Sequence, residues 1–329
     1  MLSILSNPTD ETWQHIRSML WSRFSASLPI KGVEKEIVRR DRDLAELDNL
    51  LAGAAWNLWQ DFTSSLSKGS DGVIEFWNTT SRSHTPEGKA VLILDGLSLR
   101  EIPLLLVEAE KRRFNIHQSG AWAAEIPGMT TQFANALGFS QRSALENNGA
   151  ASKRFPGAWT ESCNISFHDC AGMIPPEKSI LFWHHWPDSK MHELAGPGLG
   201  LEALAKEVSE KLTSDDFWSF IEQLSTGRKL LITSDHGYAA TGHFPDLQDK
   251  NQVESLKTIF KAQRFAEQTF NNEPLPWIPP IDWPLITSHG PYRLILGRRK
   301  WKCQGGYPLL QHGGLSLLEM FVPFLEIGR

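Results

Sequence analysis

The sequence is poor in cysteine and tyrosine and contains no long apolar run. Its 329 residues include only three cysteines, Cys163, Cys170 and Cys303, and none of them shows C-x-x-C spacing. This excludes a disulfide framework and favours reduced thiols. No apolar run reaches the roughly 18 residues of a membrane helix, and the N-terminus lacks a basic segment followed by an apolar core. We therefore expect a cytoplasmic protein without a membrane partner.

Neither sign of charge is in large excess. The chain has 33 basic and 38 acidic residues, which gives a formal net charge of −5. An imbalance this small excludes a general electrostatic attraction to nucleic acid or anionic lipid, so a polyanionic partner would need a local basic patch. The length is sufficient for one large α/β domain or two smaller ones, with a substantial core.

The first 85 residues are predicted to form a helical N-terminal segment that packs on the core. Apolar residues recur at three- and four-residue steps over residues 13–24 and 37–62, as on the buried face of a helix. The charged run at 34–43 predicts a solvated face with local ion pairs. A glycine-containing break then precedes residues 73–77, which we predict as a short edge strand. These helices are also the candidate surface for protein partners.

Residues 86–329 show a different pattern, in which short apolar runs alternate with amphipathic segments. This alternation predicts an α/β domain with a mostly parallel central sheet flanked by helices, and ligands at the carboxyl ends of its strands. Residues 244–291 depart from it, because a predicted helix at 253–270 is followed by clustered prolines, and we predict a proline-rich insertion that contributes a wall to the substrate site. The predicted strands are 90–94, 114–117, 179–183, 229–233 and 292–296, and the other predicted helices are 99–112, 130–137, 201–212 and 215–224.

Carboxylates and imidazoles follow several of these apolar segments. The clearest case is KLLITSDHGY, an apolar strand that ends in an acidic and imidazole pair. Each case alone has an ordinary explanation as a helix cap or a hydrogen-bonded core group. Together they offer three aspartates and three histidines, enough for two ions with open positions, and the absence of thiolates suits zinc, manganese or iron. The candidate ligands are Asp95, Asp188, His192, Asp235, His236 and His312.

A nucleophile for such a centre is offered by the stretch IPGMTTQF. A hydroxyl at the start of a helix lies where backbone N–H groups favour an alkoxide and a phosphate. The hydroxyl is that of Thr130 or Thr131, and an N-cap role explains one of the two without chemistry. Two ions close together stabilise the attacking and leaving oxygens of an in-line phosphoryl displacement.

The ordered set ILDG, IPGMTTQF, D-x-x-x-H, TSDHG and QHGGLSLLEMFVP resembles the PglZ-domain family of the alkaline phosphatase superfamily over residues 89–327. The resemblance implies an alkaline-phosphatase-like fold and two divalent ions, zinc first and manganese as the alternative. It matches the nucleophile to Thr130 by the distance from the proline, and to Thr131 by the Gln-aromatic-Ala pattern that follows. By resemblance, Asp188, His192 and His312 hold one metal, and Asp95, Asp235, His236 and the nucleophile hold the other.

The function implied by this resemblance is a metal-dependent phosphohydrolase in bacterial phage defence or signalling. Its substrate would be a phosphate ester, with a nucleotide or nucleic acid as candidates, and its activity that of a phosphodiesterase or nuclease, with phosphomonoesterase activity at the same site. The cluster Arg298, Arg299 and Lys300 is the candidate substrate-binding patch, and a solvated hairpin turn explains it equally well. The alternative function is a non-catalytic metal-binding subunit of a defence complex.

Overall fold

The computed structural model describes residues 9–29, 31–79, 88–149, 152–196, 198–268, 277–303 and 306–329. Its strands are β1 (Gly88–Leu94), β2 (Asn115–Ala123), β3 (Trp159–Cys163), β4 (Ser179–His184), β5 (Arg228–Thr233), β6 (Ala239–Ala240), β7 (Phe265–Glu267), β8 (Asp282–Thr287), β9 (Gly290–Ile295), β10 (Leu310–Gln311) and β11 (Phe321–Gly328). Its α-helices are α1 (Thr9–Ser25), α2 (Val33–Gly53), α3 (Phe62–Ser65), α4 (Gly69–Asn78), α5 (Ile102–Lys111), α6 (Thr130–Ala136), α7 (Phe167–Met173), α8 (Asp188–Glu193), α9 (Leu201–Leu212), α10 (Asp215–Ser225), α11 (Lys250–Phe260) and α12 (Leu317–Met320). Within these ranges, none of the helices has the length and apolar character needed to cross a bilayer.

The molecule is built on a six-stranded, mostly parallel sheet with the order β2-β11-β5-β1-β4-β3. β1 pairs in parallel with β4 and β5, and β3 pairs in parallel with β4. Alternate residues of β1 belong to opposite apolar layers: Leu92 packs in the layer of α5, α9 and α10, whereas Val91 and Ile93 pack in that of α4 and α6. The predicted α/β class with flanking helices is confirmed. The strands expected at 90–94, 179–183 and 229–233 are confirmed as β1, β4 and β5.

Two strands of this sheet were not predicted. β3 has the polar sequence WTESC and lies at the sheet edge, so it lacks the apolar run of a central strand. β11 contains Pro323, a residue that argues against an interior strand because it has no N–H to donate. Pro323 pairs with Ala121 of β2, whereas the register with β5 begins only at Phe324, so the position without an N–H lies where β11 is not yet paired with β5. Its carbonyl oxygen accepts a 2.7 Å hydrogen bond from the Thr233 hydroxyl. β11 pairs antiparallel with both β2 and β5.

Other element predictions were wrong. Residues 73–77 belong to helix α4, because Gly72 brings that helix within close packing distance of Phe324 and Trp122 and does not break it. The helix predicted at 253–270 ends with α11 at Phe260, and β7 follows. The strand predicted at 292–296 is β9, but it belongs to a separate three-stranded antiparallel sheet, β7-β9-β8. The prolines of the predicted insertion at 274 and 276, and the predicted boundary at 85/86, lie outside the described residues.

The N-terminal helices pack on the sheet domain through an aromatic cluster. Trp13 of α1 lies with its ring centroid 4.8 Å from that of Trp59, 4.9 Å from that of Phe62 and 6.3 Å from that of Phe321 on β11. The predicted solvated charge face on α2 is corrected at two positions. Arg40 is buried and donates to three backbone carbonyl groups of the α1–α2 connection, and Asp41 is fully buried against arginines of the main domain.

Candidate metal centre

The first candidate metal cluster lies at the carboxyl ends of β1 and β5. Asp95 directly follows β1, and Asp235 and His236 follow β5 after one serine. The Nε2 atom of His236 lies 3.4 Å from Oδ1 of Asp95 and 3.5 Å from Oδ2 of Asp235. All three side chains are fully buried. The backbone N–H of Gly96 donates to Oδ1 of Asp235 at 3.0 Å, which fixes the two strand ends to each other.

The second cluster is formed by α8 and the loop before α12. Asp188 is the first residue of α8, and the i,i+4 spacing places the Nε2 atom of His192 3.3 Å from its Oδ2 atom. The Nε2 atom of His312 lies 3.7 Å from Oδ1 of the same carboxylate. In each cluster the three candidate ligand atoms lie within 4.8 Å of one another, and these are the groupings that the resemblance implies.

The two clusters adjoin each other. The rings of His236 and His312 stack with centroids 4.0 Å apart and an interplanar angle of 6°. The backbone N–H of Asp188 donates to the carbonyl oxygen of Asp95 at 2.8 Å. Glycine is needed beside both histidines: a Cβ on Gly237 would lie 2.0 Å from the Leu318 carbonyl oxygen, and Gly313 has a φ of +96°. Six side chains, spread over more than two hundred residues of sequence from Asp95 to His312, therefore form one composite site.

The donor atoms have the environment that a metal ion requires. Nδ1 of His236 lies 3.0 Å from the Gly237 carbonyl oxygen, and Nδ1 of His312 lies 3.2 Å from that of Gly128. A carbonyl oxygen only accepts, so each Nδ1 carries a proton and Nε2 is the ring nitrogen that would bind a metal ion; on His236 the ion would displace a proton from Nε2. Three buried atoms of the clusters have no hydrogen-bond partner among the described residues, namely Oδ1 of Asp188, Oδ2 of Asp235 and Nε2 of His236. Such atoms are costly to bury unless a cation binds them.

The pKa values of the cluster residues also favour a bound cation. Burial and the neighbouring Asp95 raise the pKa of Asp235 to about 7. Burial disfavours charge on the ring of His236, but Asp235 and Asp95 together raise the pKa of His236 to about 10. Burial and the nearby His236 lower the pKa of His312 to about 4, so the ring of His312 is neutral near pH 7. A divalent cation bound between the carboxylate and imidazole atoms of a cluster would supply the positive charge that neighbouring buried carboxylates require.

The two candidate nucleophiles differ in their distance from the clusters. The Thr130 hydroxyl lies 3.4 Å from Oδ1 and 3.5 Å from Oδ2 of Asp95. Thr131 is exposed. The N-cap of α6 is Met129, so neither threonine has the capping role that the sequence left open. The geometry favours Thr130.

Sequence reasoning missed Arg142. Its guanidinium group forms an ion pair with Oδ2 of Asp95, and its side chain remains about one quarter exposed, at 27%. Arg142 follows Gln141, the N-cap of a short 3₁₀ segment, and stands in no recognised motif. The signal was therefore absent from the sequence pattern, because only the folded loop brings position 142 to the end of β1.

The predicted substrate-binding patch is corrected by the structure. Arg298 is fully buried and forms ion pairs with Asp41 and Asp48 of α2. Arg299 donates to the carbonyl oxygen of Pro280. Lys300 is buried and donates to backbone carbonyl groups at 241 and 244. Arg298 and Arg299 contact helix α2, and Lys300 contacts the segment 241–246, so the three cations form neither a free substrate patch nor a solvated hairpin.

A third group of potential ligands contains Cys163, Cys170 and His184. The two sulfur atoms lie 3.7 Å apart, and both cysteines are free. The ring of His184 is already bonded at both nitrogens, since Nε2 contacts the Ile165 carbonyl oxygen at 2.9 Å and Nδ1 accepts from the Trp186 N–H at 3.1 Å. This group therefore lacks the unpartnered donor atoms that distinguish the two aspartate–histidine clusters.

Comparison of the chain with protein-family models and with curated proteins found no match.

Proposed function

We propose that the protein is a metal-dependent phosphohydrolase in which Thr130 is the nucleophile. The observation that carries the proposal is the pair of adjoining Asp/His clusters, one of which contacts the Thr130 hydroxyl through Asp95, with three buried cluster atoms that have no hydrogen-bond partner among the described residues. Asp95, Asp235 and His236 would hold one ion, and Asp188, His192 and His312 the other; zinc is the first candidate and manganese the second.

Bound ions would supply charge neutralisation at the phosphoryl group and lower the pKa of a bound water molecule. The chain's own residues supply the rest. The Thr130 oxygen attacks phosphorus, the bond from phosphorus to the leaving alcohol breaks, and the alcohol takes up a proton. A water molecule then attacks the phosphothreonine, releasing the phosphate product and restoring the hydroxyl. Asp95 orients Thr130 for the first step, and Arg142, partly exposed beside it, neutralises the non-bridging oxygens.

The substrate is a phosphodiester or phosphomonoester, and the resemblance to PglZ-domain proteins supports a role in bacterial phage defence or signalling. The same resemblance leaves a second class of function, a metal-binding interaction subunit without catalysis. The two differ in what they require of Thr130, because a binding subunit has no use for a nucleophilic hydroxyl beside its ligands.

The test measures metal content and hydrolysis on one set of variants. Wild-type protein, Asp235→Asn, Thr130→Ala and Thr131→Ala are loaded with zinc or manganese, and bound metal per chain is determined. Each is then assayed with 4-nitrophenyl phosphate and bis(4-nitrophenyl) phosphate. We expect Asp235→Asn to lose metal and activity, and Thr130→Ala to keep metal but lose at least about a hundredfold in kcat. Thr131→Ala is the matched control and should retain both.

Each outcome separates the candidates. Metal binding without hydrolysis of any ester supports the interaction subunit. Full activity in Thr130→Ala with loss in Thr131→Ala assigns the nucleophile to the other threonine. Hydrolysis that survives Asp235→Asn at wild-type rates shows that the proposed centre is not the catalyst.

A further inference from the structure

A chamber of about 490 Å³ opens beside the second candidate metal cluster. His192 and His312 form one wall, and Met129, which directly precedes the candidate nucleophile, forms another. A chamber of this size is within the range of small-molecule sites in proteins. The remaining walls come from the segment after α8 and from β7, β10 and the residues beside them, and include Gln263, Phe265, Tyr307 and Gln311.

The chamber lies on the side of the site where a leaving group must depart. Thr130 contacts Asp95 of the first cluster. In an in-line displacement the leaving oxygen is opposite the attacking oxygen, and the proposed mechanism assigns the leaving oxygen to the second cluster, whose His312 stacks on His236 of the first. His192 and His312 of that cluster also line the chamber. The alcohol released from phosphorus therefore faces into this space.

The chemistry of the lining selects the alcohol. Phe265, Tyr307 and Met129 offer two aromatic rings and a polarisable thioether, which suit the faces of a planar ring. Gln263 and Gln311 offer amide groups, and the Oε1 atom of Gln311 has no hydrogen-bond partner among the described residues. None of the described lining residues is a lysine or an arginine. A second phosphate or a continuing nucleic-acid backbone would find no counter-charge here.

We propose that the chamber binds the leaving alcohol as a single uncharged nucleoside, so that the substrate is a nucleotide-sized phosphate ester and not an extended nucleic acid. The base lies against Phe265 and Tyr307, and the sugar hydroxyl points toward His192 and His312. This assignment rests on the proposed phosphohydrolase function for its meaning, but the binding of a neutral nucleoside can be measured without any turnover.

The first test is equilibrium binding of adenosine to the zinc-loaded full-length protein by isothermal titration calorimetry. Phe265→Leu keeps an apolar side chain against Gly313 but removes the aromatic ring. Tyr307→Leu removes the other aromatic ring of the lining. We expect each variant to weaken adenosine binding about tenfold, the usual effect of losing one base–aromatic contact. Ile286→Ala, at an 85% exposed position of the same small sheet, is the control and should bind as wild type does.

The second test compares two monoesters that both release a primary alkyl alcohol, adenosine 5′-monophosphate and glycerol 1-phosphate. We expect wild-type kcat/KM to favour the nucleotide at least about tenfold and Phe265→Leu to remove that preference, whereas the control Ile286→Ala should keep the wild-type rates on both esters.

The results separate this inference from the proposed function. If both monoesters are hydrolysed equally and Phe265→Leu changes nothing, the nucleoside assignment is overturned while the hydrolase stands. Binding of a long single-stranded oligonucleotide that is tighter than adenosine binding, and insensitive to Phe265→Leu and Tyr307→Leu, also overturns it. If no ester is hydrolysed but adenosine binds and the aromatic variants weaken it, the hydrolase proposal fails and the chamber assignment survives as a nucleoside-binding site.

Discussion

Replacement of Asp41 by asparagine should destabilise the protein strongly, because this carboxylate is shared by two buried arginines. Arg100 donates to Oδ1 through Nε at 2.9 Å and through Nη2 at 2.5 Å, and Arg298 donates to Oδ2 at 2.6 Å. All three side chains have zero exposure. Burial disfavours the ionised carboxyl, but Arg100 and Arg298 together lower the pKa of Asp41, so its charge is retained.

The expected loss is about 3–5 kcal/mol in the free energy of unfolding, the usual cost of removing one partner from a buried ion pair. Asparagine is nearly the same size, so the change removes charge and leaves the space filled. Asp48 still pairs with Arg298, but Arg100 loses its carboxylate partner. Asp43, two residues along the same helix, is the matched control. Its carboxylate is 43% exposed and pairs with Arg23 and Arg39, so Asp43→Asn should cost less than about 1 kcal/mol.

The assay is urea denaturation followed by tryptophan fluorescence, with both variants and wild type measured at one pH and salt concentration. A midpoint shift for Asp41→Asn that is no larger than the shift for Asp43→Asn would refute the reasoning. In that case the charges of Arg100 and Arg298 would be neutralised by groups other than Asp41.

Three further predictions concern the glycine beside His236, the Glu125 cluster and the metal centre. Gly237→Ala should lower both stability and metal content, because the added Cβ would lie 2.0 Å from the Leu318 carbonyl oxygen. Gly242→Ala is the control and should change neither, because no described atom lies within 4 Å of a Cβ at that position. Equal thermal midpoints in the two variants would contradict this prediction. Although Glu125 is buried, contacts with His289, Ser70 and Lys68 lower the pKa of Glu125 to about 2, so its stabilisation is complete above about pH 4.5 and is lost as pH falls toward 2. Glu125→Gln should therefore be less stable than wild type at pH 7, by up to about 3 kcal/mol. The urea midpoints of the variant and the wild type should converge below pH 3. A difference in midpoint that does not change with pH would rule out the carboxylate charge as its cause. Free zinc at a hundredfold excess over its Kd should stabilise the wild type by about 2.7 kcal/mol, and Asp235→Asn should abolish most of that gain; an unchanged wild-type melting temperature with zinc would show that no ion binds the native site.

The parallel strands β1, β4 and β5 and the positions of Asp95 and Asp235 could be predicted from sequence for a shared reason. Parallel strands place their carboxyl ends on one edge, so polar residues directly after apolar runs meet there whatever the intervening sequence. Asp95 and Asp235 are positioned by this rule alone, and the i,i+4 spacing of Asp188 and His192 needs only a helix.

The features that escaped prediction depend on partners that local sequence does not specify. Arg298 looks like a surface cation until its carboxylate partner is known, and Asp41 lies 257 positions away. Pro323 argues against an interior strand until it is known that β11 pairs with β5 only from Phe324 onward. Arg142 reaches Asp95 only because a loop folds back over the end of β1. In each case the residue type is common in two different structural environments, and only tertiary contacts determine which of them applies.

The arginine–aspartate network on helix α2 means that the sheet domain cannot be separated from the N-terminal helices without loss of interactions. Arg100 contacts the carbonyl oxygen of Tyr238, two residues after the candidate ligand His236, so the anion that anchors this arginine also supports the loop carrying that ligand. A shortened chain that begins after residue 85 would keep every candidate ligand and the candidate nucleophile. It would also carry two interior cations without their counterions. The smallest transplantable unit of this site therefore extends back to α2.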